Sequence, residues 1–279
     1  MSEENTTKLL VIKKIIWFIY RKIRPALGLA LGQVLMYYFF NDVKQNILFL
    51  VVGIFFVHLF GDIYNDYWDY DDDINNNRKD KLTLFLPKKF LKRISLLILT
   101  LGLLLLYISN MNIFILFSLY AVLLTLYSHP IVRLKRYDIY GYMLTVFPWF
   151  LFPFFMDKFL LQETTVTTYL FAIYFFSQWM YILCQKDSTD TMDSTNLFLK
   201  RGWSLASSFC ILFAAASSFS LLALSLTTLL KLIWFFNLSV KIINLKLIFQ
   251  QKIGRKTRGL LVLMEFITPY LFVIAYLLT

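Results

Sequence analysis

The amino-acid sequence predicts an all-α, polytopic membrane protein, and three observations support this fold class. The chain has 279 residues, of which 59% are hydrophobic and 16% charged, whereas soluble domains are about half apolar and a quarter charged. Windows almost free of charge recur along the chain, each long enough to cross about 30 Å of hydrocarbon as a helix. Lys and Arg concentrate in alternate connecting segments, as they do between membrane spans.

Nine windows are predicted to be transmembrane helices, and together they form one bundle around a central cavity that faces the cytoplasm. They are 25–41, 46–66, 93–109, 112–128, 138–157, 167–186, 203–224, 228–249 and 259–278. The boundary between the seventh and eighth is the least marked, because few polar residues interrupt the apolar run there. Residues 1–24 are predicted to be a basic interfacial segment, and residues 25–279 the membrane domain.

The net charge of +11 is explained by membrane orientation rather than by nucleic-acid binding. Basic residues crowd the N-terminal segment and the 67–93, 129–137, 186–202 and 250–258 loops. By the positive-inside rule this places the N-terminus in the cytoplasm and, with nine spans, the C-terminus on the opposite side. Cys184 and Cys210 lie in predicted spans, so neither a disulfide framework nor a cysteine metal site is indicated.

The acidic residues are concentrated in two short windows. Ten of the 17 acids lie there. The first window ends the second span and contains Asp62, Asp66, Asp69, Asp71, Asp72, Asp73 and Asp80; the second ends the sixth span and contains Asp187, Asp190 and Asp193. Four spans separate the windows, so both are expected on the cytoplasmic side, where they can share one cavity.

The first acidic window is periodic. On a helix at about 100° per residue, four of its acids share a face about 60° wide, namely Asp62, Asp66, Asp69 and Asp73. His58 continues this stripe, and Asp71 points to the opposite side. Such a column repels itself unless cations bind to it, and carboxylates with Asn65 suit Mg²⁺. Asp66 and Asp69 are the expected central ligands.

The acids of the second window are spaced less regularly than those of the first. At steps of three residues, its acids span about 120° of a helix, so all three can bind one ion only if the helix unwinds. Asp187 and Asp190 are favoured over Asp193 as ligands.

Cations near the two acidic windows indicate a diphosphate site, although several of them also enforce the membrane topology. These cations are Lys81, Arg133, Lys135, Arg136 and Lys186.

These residues resemble the motifs of the UbiA superfamily of intramembrane prenyltransferases. NDYWDYDDD, which begins at Asn65, is similar to that superfamily's Asn-Asp-x-x-Asp-x-x-x-Asp motif. YSHPIVRLKR, from Tyr127 to Arg136, resembles its segment after the fourth helix, and Arg24–Pro25 resembles its first-helix start. QKDSTDTMD resembles its second acidic motif more loosely, since no two acids there lie four apart. Asp80–Lys81 stands where the superfamily commonly has Arg-Pro.

The resemblance implies a two-ion mechanism. Asn65, Asp66, Asp69 and Asp73 would hold one Mg²⁺, Asp187, Asp190 and Asp193 another, and an isoprenoid diphosphate would bridge them. Asp66, Asp69 and Asp187 are implied to be catalytic, while Tyr127 and Ser128 join the cations that contact the diphosphate. The prenyl group would pass as an allylic cation to an aromatic or other lipophilic acceptor, releasing pyrophosphate.

Three further residues bear on binding of the acceptor. His58 and Asp62 are expected on the acceptor side, while Glu265 either orients the acceptor or pairs with a basic side chain such as Lys241.

Two other functions are alternatives to prenyl transfer. A membrane terpene cyclase would use the same metal site without an acceptor. A divalent-cation transporter is the other alternative, but acids confined to one membrane face argue against it.

Overall fold

The computed structural model describes residues 22–40, 47–75, 86–156, 166–187, 197–224 and 227–250, and eight single positions from 261 to 275. In this part of the chain there are ten α-helices and one 3₁₀ turn, and no strand. The helices are α1 (Arg24–Phe40), α2 (Ile47–Trp68), α3 (Tyr70–Asn75), α4 (Lys88–Ser109), α5 (Met111–Ser128), α6 (Asp138–Met156), α7 (Val166–Asp187), α8 (Leu197–Arg201), α9 (Trp203–Leu224) and α10 (Thr228–Phe249). The 3₁₀ turn is Leu134–Tyr137.

The all-α prediction is confirmed over the described residues. Each of the first eight predicted windows corresponds to a long helix, and the seventh and eighth are separate, since α9 ends at Leu224 and α10 begins at Thr228. Within the described part of the chain, five helices are long and apolar enough to cross a membrane: α2, α4, α5, α9 and α10. The count of nine spans stays a prediction, and the segment 1–24 lies almost entirely outside the described residues.

The chain divides into two compact units. The first comprises the start of α1 and α2 to α5, and the second comprises the end of α1 and the chain from Arg133 onward. In the first unit, α2 packs along α4 and α5. Ala26 of α1 packs into the same core as Leu59 and Ile63 of α2 and Leu91 of α4. This core fixes the start of α1 beside the charged end of α2.

Two glycines allow α2 and α4 to approach closely. A Cβ at Gly102 of α4 would lie 2.9 Å from the Phe56 Cβ and 3.1 Å from the carbonyl oxygen of Gly53. Both of these atoms are fixed by the α2 backbone, so neither can move aside without a shift of the helix. Small residues at such contacts are typical of helix packing in membranes.

We expect Gly102→Ala to destabilise the protein by about 1–3 kcal/mol, because overpacking a close contact costs this much and outweighs the gain of up to about 1 kcal/mol from replacing a helical glycine. The measurement is the melting temperature of the purified protein in detergent. Gly61→Ala is the matched control, since its Cβ would meet only the flexible end of Leu124. Equal melting temperatures for the two variants would contradict the proposed close contact.

The helical hydrogen-bond ladder continues from α2 into α3. A turn at Asp69 separates the two helices, but the Asp69 amide donates to the Asn65 carbonyl at 2.9 Å and the Asp73 amide donates to the Asp69 carbonyl at 2.8 Å. The i to i+4 spacing is therefore kept, and the periodicity that the sequence predicts for the acids extends across the turn.

Candidate functional site

The described acids of the first window lie at the end of α2, in the turn that follows it and in α3, and they differ in burial. Asp66 has 0% of its surface exposed and Asp73 has 2%. Asp69 is half-buried, whereas Asp62 and Asp71 are exposed. Burial of a carboxylate is costly unless cations or hydrogen-bond donors surround it, so Asp66 and Asp73 are the acids of this window with the greatest need for a cationic partner.

Asp66 forms an ion pair with Lys22, which lies just before α1. The Lys22 Nζ is 2.8 Å from the Asp66 Oδ2, and the two side chains are 8% and 0% exposed. The same ammonium donates to the backbone carbonyl of Asp62 at 3.4 Å. The packing of α1 on α2 thus brings a cation from the N-terminal part of the chain onto the central acid of the column.

Asn65 and Trp68 connect the acidic window to Ser128, the last residue of α5, and to His129, which follows it. The Ser128 hydroxyl donates to the Asn65 Oδ1 at 3.1 Å. The His129 ring packs edge-on against Trp68, with ring centroids 4.9 Å apart. Two segments 63 residues apart in sequence therefore meet at the first motif, and Ser128 is one of the residues expected to contact the diphosphate.

Asp71 of α3 and Lys88 of α4 form an exposed ion pair. Lys88 donates to the Asp71 Oδ2, and the two side chains are 38% and 73% exposed. The Lys88 ammonium also lies 5.8 Å from the centre of the Tyr70 ring. Exposed pairs of this kind contribute about 0–1 kcal/mol. The orientation of Asp71 opposite to the acidic column stays a prediction.

His58 lies deeper in α2 and contacts the first unit's core. Its Nε2 is 2.8 Å from the Oε1 of Gln33 in α1, and its ring packs edge-on against Phe117 and Tyr120 at 6.1 and 5.5 Å. Eight residues of helix separate His58 from Asp66, which is about 12 Å along the axis. His58 is thus placed two turns from Asp66 and about one turn from Asp62, the first acid of the window.

The donor set of the first window is suited to Mg²⁺. Among the described residues, no three His, Cys, Asp or Glu side chains come together as a metal site would require. Mg²⁺, however, is usually held by one or two carboxylates, with water and substrate phosphates completing the octahedron. Buried Asp66, half-buried Asp69 and the amide of Asn65 provide such an incomplete oxygen set, and the contact with Lys22 shows that a cation can lie beside Asp66.

Several predicted site residues are described only in part. For Lys135, Arg136, Lys186 and Asp187 the structure gives the backbone position alone, and Lys81, Asp190 and Asp193 lie outside the described residues. Asp187 is the last residue of α7. Arg133 is half-buried and has a φ of 41°, a left-handed conformation that is rare for a side chain other than Gly, Asn or Asp. The second acidic window therefore stays a prediction.

The second unit contains a buried polar cluster formed by α7, α9, α10 and Glu265. The Glu265 Oε2 accepts from Gln178 of α7 at 3.1 Å and from Asn237 of α10 at 3.3 Å. Lys241 of α10 instead donates to the Ser217 hydroxyl of α9 at 2.6 Å. Glu265 and Lys241 thus belong to one buried cluster but do not form a direct ion pair. Side chains of α7 and α10 bind Glu265, and a side chain of α9 binds Lys241.

Lys22, Gln33, Gln178 and Asn237 were not among the residues singled out from the sequence. Lys22 is one of several cations near the N-terminus, and nothing in its local sequence distinguishes it from Arg21. The one available signal is its position close to Arg24–Pro25. Gln33, Gln178 and Asn237 are single polar residues in apolar helices, and such residues usually have a polar partner on another helix.

The described fold and the acidic site define a class: a helical membrane protein with a buried oxygen-ligand site at the end of its second helix. The sequence profile of the UbiA prenyltransferase family matches residues 26–262. The chain belongs to the UbiA prenyltransferase family. No curated protein sequence matches the chain.

At least three solved structures have the same fold as this chain. An apo UbiA homologue from Aeropyrum pernix K1 superposes with a TM-score of 0.70 at 11% identity, covering 91% of this chain and 98% of that one. An Archaeoglobus fulgidus UbiA homologue bound to DMAPP and Mg²⁺ gives 0.63 at 14%, covering 92% and 99%. A digeranylgeranylglyceryl phosphate synthase gives 0.61 at 17%, covering 95% and 98%.

Proposed function

We propose that the protein transfers a prenyl group from an allylic prenyl diphosphate to a lipophilic acceptor in the membrane, with release of pyrophosphate. The observation that carries this proposal is the buried carboxylate of Asp66 in the family's first motif, with a buried ammonium 2.8 Å away. Family membership supports the reaction class. Homologues with the same fold have been solved with GPP or DMAPP and Mg²⁺, which supports the substrate class.

We propose two Mg²⁺ ions as cofactors. Asn65, Asp66, Asp69 and Asp73 would hold the first, and Asp187, Asp190 and Asp193 would hold the second, with Asp187 and Asp190 favoured over Asp193. When bound, the ions neutralise charge on the departing pyrophosphate and so promote cleavage of the allylic carbon–oxygen bond.

The chain's own residues have three tasks in this reaction. Asp66 and Asp69 supply the negative charge on which cations assemble. Ser128, whose hydroxyl now donates to Asn65, together with Tyr127 and the cations after α5, would orient the diphosphate. The apolar helices exclude water from the allylic cation, since capture by water would yield a prenyl alcohol instead of the transfer product.

We also propose that the protein spans the membrane nine times, with the N-terminus and both acidic windows on the cytoplasmic side. Five helices with the length and apolarity of membrane spans support an integral membrane protein. The basic loops support the orientation by the positive-inside rule. His58 and Asp62 are proposed to lie on the acceptor side of the site.

We expect prenyl transfer to require Mg²⁺ and an acceptor. The test incubates purified protein with DMAPP, GPP or longer prenyl diphosphates, with or without a panel of aromatic and glycerol-based acceptors. Pyrophosphate and lipid products are measured, and EDTA should abolish both, with recovery on addition of excess Mg²⁺. Pyrophosphate release that depends on an acceptor would support a transferase, whereas a cyclic hydrocarbon formed without one would replace this proposal with a cyclase.

A further inference from the structure

We propose that Lys22 is an exchangeable counter-ion of the metal site: it neutralises Asp66 when Mg²⁺ is absent, and binds the diphosphate after Mg²⁺ has taken Asp66. This inference rests on the proposed function and assigns a role to a residue outside the family motifs. The carrying observation is the geometry of one contact. The Lys22 Nζ lies 2.8 Å from the Asp66 Oδ2, with the two side chains 8% and 0% exposed.

Burial explains why Asp66 needs this partner in the metal-free protein. A buried carboxylate loses its hydration, and without a cation beside it no other interaction replaces that hydration. Removing one partner of a buried ion pair is therefore strongly destabilising. The Lys22 ammonium is a compact positive charge. It lies beside the same carboxylate oxygen of Asp66 that would bind a metal ion.

Lys22 and Mg²⁺ compete for the same carboxylate. A Mg²⁺ ion binds a carboxylate oxygen at about 2.1 Å, and an ammonium 2.8 Å from the Asp66 Oδ2 would then lie within a few ångströms of a doubly charged ion. Like charges at that separation in a buried site repel strongly. The ammonium is therefore expected to leave the Asp66 oxygen when Mg²⁺ binds.

The displaced ammonium has limited freedom and a suitable new ligand. The backbone of Lys22 is held at the start of α1, where Ala26 packs against Leu59 and Ile63. Its second contact, the Asp62 carbonyl at 3.4 Å, belongs to the same helix as the acids. The flexible four-carbon side chain allows the ammonium to move over a few ångströms. A metal-bound diphosphate would place anionic oxygens within its reach, and lysine binds such oxygens as a point charge.

The exchange predicts two opposite effects of Lys22→Met, which keeps the length of the side chain and removes its charge. Binding of Mg²⁺ alone should become tighter, by about threefold or more, because the competing cation is gone. Binding of inorganic pyrophosphate at saturating Mg²⁺ should become weaker by about tenfold, because one charged hydrogen bond is lost. Both affinities are measured by isothermal titration calorimetry of the full chain in detergent.

Two variants complete the experiment. Lys88→Met removes a cation that pairs with the exposed Asp71 and should change neither affinity. Lys22→Gln should repeat both effects of Lys22→Met, and its amide can still donate to Asp66 should the methionine variant fold poorly. Without Mg²⁺ both Lys22 variants should melt below the wild type, and added Mg²⁺ should raise their melting temperatures by more than it raises that of the wild type.

The outcomes are distinguishable. A folded Lys22 variant that binds both Mg²⁺ and pyrophosphate more weakly would show that Lys22 only supports the structure, and unchanged affinities would show that it does not exchange; either overturns the inference and leaves the proposed function intact. A wild-type protein that binds neither Mg²⁺ nor pyrophosphate would overturn the proposed function and this inference together.

Discussion

Replacing Asp66 with Asn is expected to lower the rate of prenyl transfer by about 10²–10³-fold, the usual effect of removing one group that stabilises charge in a transition state. The amide has nearly the same size as the carboxylate but lacks the negative charge that would attract Mg²⁺. It also leaves the buried ammonium of Lys22 without its anion. The measurement is the rate of pyrophosphate and product formation with GPP and Mg²⁺.

Asp71→Asn is the matched control for this prediction. Asp71 lies in α3, in the same acidic window, but its side chain is 73% exposed and pairs with Lys88. Its replacement should leave the rate within about twofold of the wild type, since exposed ion pairs contribute little. If Asp66→Asn combined with Asp187→Asn retained wild-type turnover, the two-ion proposal would have to be abandoned.

Lys241→Met is expected to destabilise the protein by about 3–5 kcal/mol, the cost of removing one partner from a buried set of opposite charges. Lys241 is 1% exposed and Glu265 0%, and the two carry the opposite charges of the cluster in the second unit. Without the ammonium, Glu265 keeps its bonds from Gln178 and Asn237 but loses the cation that balances it. Thermal melting in detergent measures the effect.

A double variant separates charge balance from packing. Lys241→Met combined with Glu265→Gln removes both charges and should be more stable than either single variant, because charges in one network are coupled by about 0.5–3 kcal/mol. Lys231→Met is the control in the same helix, since Lys231 is exposed and should tolerate the change. Additive losses in the double variant would show that the two charges do not balance each other.

The apolar windows predict the helices well because their signal is local. A helix that buries its own backbone hydrogen bonds is the structure that a long apolar segment adopts in a bilayer, so length and composition suffice to locate it. The windows 203–224 and 228–249 coincide with α9 and α10. The unequal burial of Asp66 and Asp62 is not local, since it depends on which neighbouring helix covers each position of a shared face.

Contacts between distant segments could not be derived from the spacing of the motifs. Asn65 and Ser128 are 63 residues apart. Lys22 lies just before α1 and Asp66 lies in α2, and these two helices meet through the core around Leu59. Periodicity predicts which residues share a face of one helix. Which other helix contacts that face depends on the tertiary packing. Glu265 shows the same limit, because its binding partners proved to be amides instead of the lysine that charge alone suggests.

The buried cluster of the second unit has a consequence for how the protein enters the membrane. Among the five helices apolar enough to cross it, α10 has the lowest mean hydropathy, 1.6, and a lysine in the middle of a helix adds about 2.5–3.5 kcal/mol to the free energy of insertion. The serines that accept from Lys241 belong to α9, which ends at Leu224, shortly before α10 begins at Thr228. During synthesis, α9 and α10 are therefore expected to leave the translocon together as a hairpin, with the lysine already shielded from lipid.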